Sequence, residues 1–124
     1  MEALNRRDID AAMSAAWAPD AVWDASPLGV GVFAGRDAIR GFAEDWLAAY
    51  EDYEQVVEEF RDLGNGVTFC LLLQKGRPVG STGYVGLQYA VVGTWRDGLV
   101  ERAVVHTDIG AARAAAERLA EERG

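Results

Sequence analysis

Two short stretches of this sequence carry most of the side chains suited to chemistry. Asp24 stands at the end of an apolar patch, Ala21, Val22 and Trp23, and a Pro/Gly-rich loop follows it. A carboxylate beside Trp23 and Phe33 loses hydration, becomes a stronger base, and is a candidate for proton transfer. The second stretch is Arg102-Ala103-Val104-Val105-His106-Thr107-Asp108. In a strand, Arg102, Val104, His106 and Asp108 share one parity and point to one face. His106 is the only histidine, and an imidazole exchanges protons near neutral pH. Arg102 can bind an enolate, carboxylate or phenolate oxygen. Asp24, His106 and Arg102 are therefore the candidate catalytic residues. Each polar group also has a plainer use. Asp24 fits an Asx turn onto the amide of Ser26, His106 a hydrogen bond near a strand end, and Asp108 a helix cap.

Trp23, Phe33, Trp46, Tyr84, Gln88 and Asp108 are the candidate ligand-binding residues. Flat aromatic side chains suit a planar ligand, and core burial uses them equally well. Gln74, Tyr89 and Thr94 are further polar residues within apolar strands that can reach the same pocket. Trp95, two residues before an Asp-Gly turn, reads as core packing or an interface anchor. Cys70, between Phe69 and Leu71, reads as a small core residue. One His and one Cys cannot build a zinc site. Gly29-Val30-Gly31 lacks the spacing of a dinucleotide fingerprint. No metal and no other cofactor is expected.

The positioning elements follow from periodicity. A first helix is expected from Met1 to Trp17, with Ile9, Ala12, Met13, Ala16 and Trp17 on one face, ended by Ala18-Pro19-Asp20. A short extended piece, Ala21 to Asp24, leads into the loop. A second helix is expected from Arg36 to Tyr53. Its Ile39, Phe42, Ala43, Trp46, Leu47 and Tyr50 form one apolar stripe. Strands are expected at Glu54 to Asp62, Val67 to Lys75, Gly83 to Arg96 and Leu99 to Thr107. Gly64-Asn65-Gly66 and Asp97-Gly98 read as tight turns, and the Gly/Pro-rich stretch from Gly76 to Gly80 as a loop. Asp108 can cap a closing helix, Ile109 to Glu122. Helices followed by a meander of antiparallel strands give an α+β fold, in which the two early helices cover the inner face of a curved sheet.

With these pieces in place, the chain resembles the nuclear transport factor 2-like superfamily, in its SnoaL-like polyketide cyclase and ketosteroid isomerase branch. The segments that carry the resemblance are ALNRRDIDA, APDAVWD, GRDAIRGF and WRDGLVERAVVHTD. The resemblance implies one domain, 1–124, shaped as a cone with a deep apolar pocket. It also implies a small hydrophobic molecule as partner. Members of the superfamily include isomerases, cyclases, dehydratases, epoxide hydrolases and proteins without catalysis, so activity must be argued from the site. The isomerases carry a proton-shuttling carboxylate after an "AxVxD" segment, and Asp24 in AVWDASP matches it with a one-residue gap. Their donor tyrosine precedes the ALN segment and would fall before Met1. Val91 and Val92 stand near their second donor, a protonated acid. The SnoaL-like cyclases use a His and an Asp of the later strands, which implies His106 and Asp108. The epoxide hydrolases use an Arg between two acids, which Arg102 with Asp24 resembles loosely. Two functions are thus expected. One is cofactor-independent proton transfer of isomerase, cyclase or hydratase type, with Asp24 and His106 facing one hollow from opposite walls. The other is binding of a hydrophobic ligand, or assembly, without catalysis.

Composition limits the remainder. The chain has 124 residues, half of them hydrophobic, and a net charge of −8. That charge repels phosphate backbones, which argues against nucleic acid as a partner. No apolar run approaches the roughly 18 residues of a membrane span, and the N-terminus is no signal peptide. The single Cys70 fits a reducing cytoplasm. Apolar residues on both parities of the Cys70 strand predict burial on both faces, and hence a homodimer through the sheets.

Overall fold

The computed structural model describes residues 17–124. The first expected helix falls on residues 1–16, outside the described residues, apart from Trp17. Trp17 itself lies in a strand. The described elements are β1 (Trp17–Asp24), a 3-10 turn (Ser26–Leu28), β2 (Val32–Ala34), α1 (Arg36–Ala48), β3 (Tyr50–Gly64), β4 (Val67–Pro78), β5 (Val85–Arg96), β6 (Leu99–His106) and α2 (Ile109–Arg123). The strands form one six-stranded sheet in the order β2-β1-β6-β5-β4-β3. It is mixed, because β1 runs parallel to β6 while all other neighbours are antiparallel.

Three expectations change here. Ala18, Pro19 and Asp20 belong to β1 instead of ending a helix. Their strand is an irregular one, with a register shift between Trp17 and Val22 that tolerates the proline. The second helix stops at Ala48, and Tyr50 to Tyr53 open β3. The i, i+3, i+4 spacing of its stripe reaches Tyr50, but Tyr50 pairs with Pro78 in the sheet, so tertiary pairing overrides local period. Finally, the stretch from Gly76 continues β4 as far as Pro78. Gly76 is needed there. A Cβ on it would come within 2.5 Å of the Tyr50 ring, which lies against the backbone at that point.

The pairing register sorts side chains onto two faces. Trp23 pairs with Phe33 and Ala103, Val105 with Val91, Cys70 with Val91, and Tyr89 with Leu72. This inner face meets α1 through Phe42 and Trp46. The outer face carries Val67, Phe69, Ala90 and Val92, which pack against Ala112, Ala116 and Ala120 of α2. Small residues let that helix lie close to the sheet. Asp108 starts the helix, its Oδ1 accepting from the backbone amide of Ala111 at 3.0 Å. Phe69 and Leu71 of β4 are therefore packed by α2 on one side, and Cys70 and Leu72 by Trp23, Ala25 and Leu28 on the other.

A charge cluster fastens α2 to the sheet edge. Arg113 donates to both oxygens of Glu59 at 2.6 and 2.8 Å, and its guanidinium lies 4.6 Å from the centre of the Phe69 ring. Arg61 donates to the same carboxylate at 2.7 Å. These hydrogen bonds, from Arg113 first and Arg61 second, pull the Glu59 carboxyl down to about 2 from its ordinary 4.5. A depressed carboxyl adds stability above its unfolded value and loses it as pH falls through the folded value. The stability difference between wild type and Glu59→Gln is therefore expected at pH 7, to shrink below 4.5 and to vanish near 2. Denaturant titrations across that range check it, and a constant difference would contradict it.

Candidate functional site

The inner face carries a continuous run of aromatic rings. Its order follows from four elements. Trp23 and Phe33 are cross-strand partners in β1 and β2. Phe42 and Trp46 are one helical turn apart on α1, and Tyr50 and Tyr53 open β3. Phe33 meets Phe42 at 4.7 Å between centroids, and Trp23 meets Phe42 at 6.1 Å. The run continues through Phe42 to Trp46 at 5.6 Å, Tyr50 at 6.1 Å and Tyr53 at 5.5 Å. These spacings lie in the range of attractive ring pairs.

The run ends in a group of buried amides and phenols. Gln74 of β4 is 3% exposed. Its Oε1 accepts from Trp46 Nε1 at 3.0 Å and from the Tyr53 hydroxyl at 2.9 Å. Its Nε2 donates to the Tyr50 hydroxyl at 3.4 Å. Gln55, its cross-strand partner, donates through Nε2 to the Tyr53 hydroxyl at 2.9 Å and also to the Tyr89 hydroxyl. Burial pushes the Tyr53 phenol up to about 12 and raises that of Tyr89 as well. Both phenols are thus neutral donors at any physiological pH. The arrangement is an apolar aromatic wall with a polar, uncharged head, a pattern that holds flat organic molecules and orients them by a few hydrogen bonds.

Asp24, Arg102 and His106 lie on the other face. Asp24 pairs in register with Val104, so β1 and β6 turn Asp24, Arg102, Val104 and His106 outward together, away from Trp23. The acid and the imidazole are on adjoining strands of one face, not on opposite walls of a hollow. Parity along β6 was legible in the sequence, but which parity faces inward was not. Asp24 is also tied down. Its Oδ1 accepts from the amide of Ser26 at 3.0 Å and from its hydroxyl at 2.6 Å, and its Oδ2 accepts from Arg102 at 3.2 Å. The Ser26 hydrogen bonds chiefly, then the charges of Arg102 and His106, lower the Asp24 carboxyl below its usual value despite some desolvation. That makes it a weaker base.

The candidate ligand-binding residues divide in the same way. Trp23, Phe33 and Trp46 stand in the aromatic run. Tyr84 is 63% exposed and donates to Asp52, and Gln88 is exposed and donates to Glu58. Asp108 is exposed and occupied with capping α2. These three are away from the aromatic run. Tyr50 and Tyr53 were missed because the helix was expected to run through Tyr53, and Gln55 because nothing singles it out within the strand expected from Glu54 to Asp62. The available signal was the alternation of Tyr53 and Gln55 where the helical stripe gives way to the strand.

A hollow of about 430 Å³ opens at the β3–β4 hairpin, lined by Phe60, Asp62, Asn65, Thr68 and Trp95 among others. It lies roughly 20 Å along β4 from Gln74, at a strand rise of about 3.3 Å per residue. The Trp95 indole donates to Thr68 Oγ1 at 2.7 Å there. Among the described residues, no three His, Cys, Asp or Glu side chains gather as a metal site, and no helix is long and apolar enough to cross a membrane.

Comparison with known proteins agrees with this fold. The family profile described as "SnoaL-like domain" matches residues 1–116. No curated protein matches the sequence significantly. Among solved structures, a nuclear transport factor 2-like protein of unknown function from Burkholderia pseudomallei K96243 is 22% identical, with 93% of this chain and 89% of that chain covered and a TM-score of 0.72. TerC, co-crystallised with polyporic acid, is 18% identical, with 94% and 91% covered and a TM-score of 0.71. A candidate polyketide cyclase from Sinorhizobium meliloti is 23% identical, with 85% and 87% covered and a TM-score of 0.69. The α+β, nuclear transport factor 2-like fold expected from the sequence is the one observed.

Proposed function

This chain belongs to the SnoaL-like domain family, and from that premise we propose that it binds a planar, largely apolar small molecule against the aromatic run of its inner face. The observation that carries the reading is the run itself, from Trp23 and Phe33 to Tyr53, ending in the Gln74 and Gln55 amides. A ligand lying there gains ring stacking along its length and hydrogen bonds at one end. The co-crystal of TerC with polyporic acid supports an organic ligand for this fold. In this reading Asp24 and Arg102 hold the turn after β1 and take no proton from the ligand.

Titration with a planar aromatic such as 2-acetylnaphthalene, followed by tryptophan fluorescence, tests the proposal. Trp46→Ala is expected to weaken binding at least about tenfold, since stacked aromatic anchors contribute on the order of 1–2 kcal/mol. Asp24→Asn is expected to leave binding unchanged. The reverse pattern would contradict the proposal.

Proton transfer or ring closure is the second reading, and the likeness to a candidate polyketide cyclase favours it. It requires Asp24, with His106 and Arg102, to reach the ligand from the outer face. A homodimer through the sheets belongs to the same proposal, because α2 packs on Val67, Phe69, Ala90 and Val92 and leaves Val56, the partner of Leu73 on the same face, exposed. Light scattering is expected to give twice the chain mass of 13.4 kDa. The mass of one chain would contradict the pairing.

A further inference from the structure

We propose that the hollow at the β3–β4 hairpin is a separate binding site, selective for small quaternary ammonium ions. The inference does not depend on the ligand proposed for the aromatic run.

Register builds the hollow from three strands. Phe60 pairs with Cys70, Asp62 with Thr68, and Thr68 with Gly93. Paired residues share a face, so these positions lie on the inner face, at the hairpin end of the sheet. Gly93 makes room for the next side chain but one. A Cβ on it would stand 3.0 Å from Thr68 Oγ1 and 3.3 Å from Trp95 Nε1. The Trp95 indole lies against that bare backbone, fixed by its 2.7 Å hydrogen bond to Thr68 Oγ1. Asp62 is fixed as well, its Oδ1 accepting from the amide of Gly64 at 2.9 Å. The result is a recess of about 430 Å³ lined by two aromatic side chains, Phe60 and Trp95, and one carboxylate. Phe60 is 58% exposed, so a ligand can reach its ring without any opening of the core.

The lining selects a cation. Among the described residues, Asp62 is the only charged side chain that lines the hollow. Arg123 reaches the same turn but donates to the Asn65 carbonyl at 2.8 Å and pairs with Glu101 at 3.5 Å. Arg61 pairs in register with Phe69, on the opposite face, and bonds Glu59. The indole N–H is committed to Thr68, so Trp95 offers an anion no donor, whereas its ring attracts a cation. The net charge of −8 raises the concentration of cations around the whole chain. A metal ion would need several oxygen ligands, and the described residues gather no such group. A quaternary ammonium needs none. Its methyl groups spread the charge and weaken its hydration, so it loses little on entry and gains two rings and a counter-charge. A free ion is favoured over a lipid headgroup, because membrane surfaces are negative and repel a chain of this charge.

The test titrates choline against its neutral isostere, in which a tert-butyl group replaces the trimethylammonium. The Trp95 indole N–H and the amides of Asn65 and Gly66 report binding by chemical shift. Choline is expected to bind about tenfold more tightly than the isostere, and its methyl protons to move upfield in the ring currents of Phe60 and Trp95. Phe60→Ala and Asp62→Asn are each expected to weaken choline by about threefold or more. Both residues are exposed, so both variants are expected to fold. Asp62→Asn is expected to leave the isostere unchanged. Equal binding of the two probes by wild type overturns the inference. Choline that moves the Trp46 indole and leaves Trp95 still also overturns it. So does the absence of any response at about 50 mM choline, well above the Kd of a weak millimolar site. A Trp95 signal that responds to phosphatidylcholine vesicles and not to choline overturns the choice of a free ion.

Discussion

Replacing Gln74 by Leu is expected to lower stability by about 2–4 kcal/mol and to remove most ligand affinity, because two buried donors lose their shared acceptor. Trp46 Nε1 and the Tyr53 hydroxyl both donate to Gln74 Oε1. Leucine fills the space and offers nothing to either. The penalty is the unmatched desolvation of an indole N–H and a phenol O–H, about 1–3 kcal/mol each, less what water recovers at the Trp46 side. Affinity falls with stability because the same residues end the aromatic run. Urea unfolding and fluorescence titration of the variant check both effects. A loss of under about 1 kcal/mol would show that the amide is not the hub of this group.

Phe69→Ala is expected to cost about 3–5 kcal/mol, the range for truncating a fully buried aromatic, while leaving the ligand affinity of the folded fraction nearly unchanged. Phe69 is 1% exposed and packs against the alanines of α2 on the outer face. Its loss leaves a cavity under that helix and removes the ring beneath the Arg113 guanidinium. The two substitutions separate the two faces. One disturbs stability and binding together, the other stability alone. If Phe69→Ala reduced affinity as much as Gln74→Leu, the assignment of the ligand to the inner face would be in error.

Much of the fold was legible because its signals are local. Asn65 and Gly66 both take positive φ in the β3–β4 turn, and Asp97 and Gly98 do so in the β5–β6 turn, as Asn-Gly and Asp-Gly pairs predict. Asp108 caps its helix as its position before the alanine-rich run suggested. What was not legible is relational. Nothing local says that β1 pairs in parallel with β6, and that pairing decides which face Asp24 occupies. Nothing local ends α1 at Ala48, because Tyr50 fits the helical stripe as well as it fits the strand. The grouping of the polar head is invisible for the same reason, although Gln74 and Tyr89 stand out singly as polar residues within apolar strands. Tyr53, Gln55, Gln74 and Tyr89 lie on three strands and meet only through register. Trp23, Phe33 and Trp46 could be grouped from the sequence because bulky aromatics beside a loop and on an apolar helix stripe announce a wall without requiring the topology, and the structure joins them through Phe42.

The position of Asp24 also bears on what the family resemblance can carry. A proton-transfer base gains from desolvation and a poorly matched hydrogen-bond environment. Asp24 instead accepts from Ser26 twice and from Arg102 once. The residue after it, Ala25, is fully buried on the inner side with Tyr89 and Val105. One step along the strand thus separates an outward, well-paired carboxylate from an inward methyl group.

Chemical-shift mapping with 2-acetylnaphthalene tests the central claim most directly, since it reports the two faces of the sheet in one experiment. The account predicts that the Trp46 indole N–H and the amides around Tyr53, Gln74 and Tyr89 move on addition of the probe, while the His106 imidazole and the Asp24 amide stay in place. Movement concentrated on Asp24, Arg102 and His106, with the Trp46 indole unmoved, would contradict it.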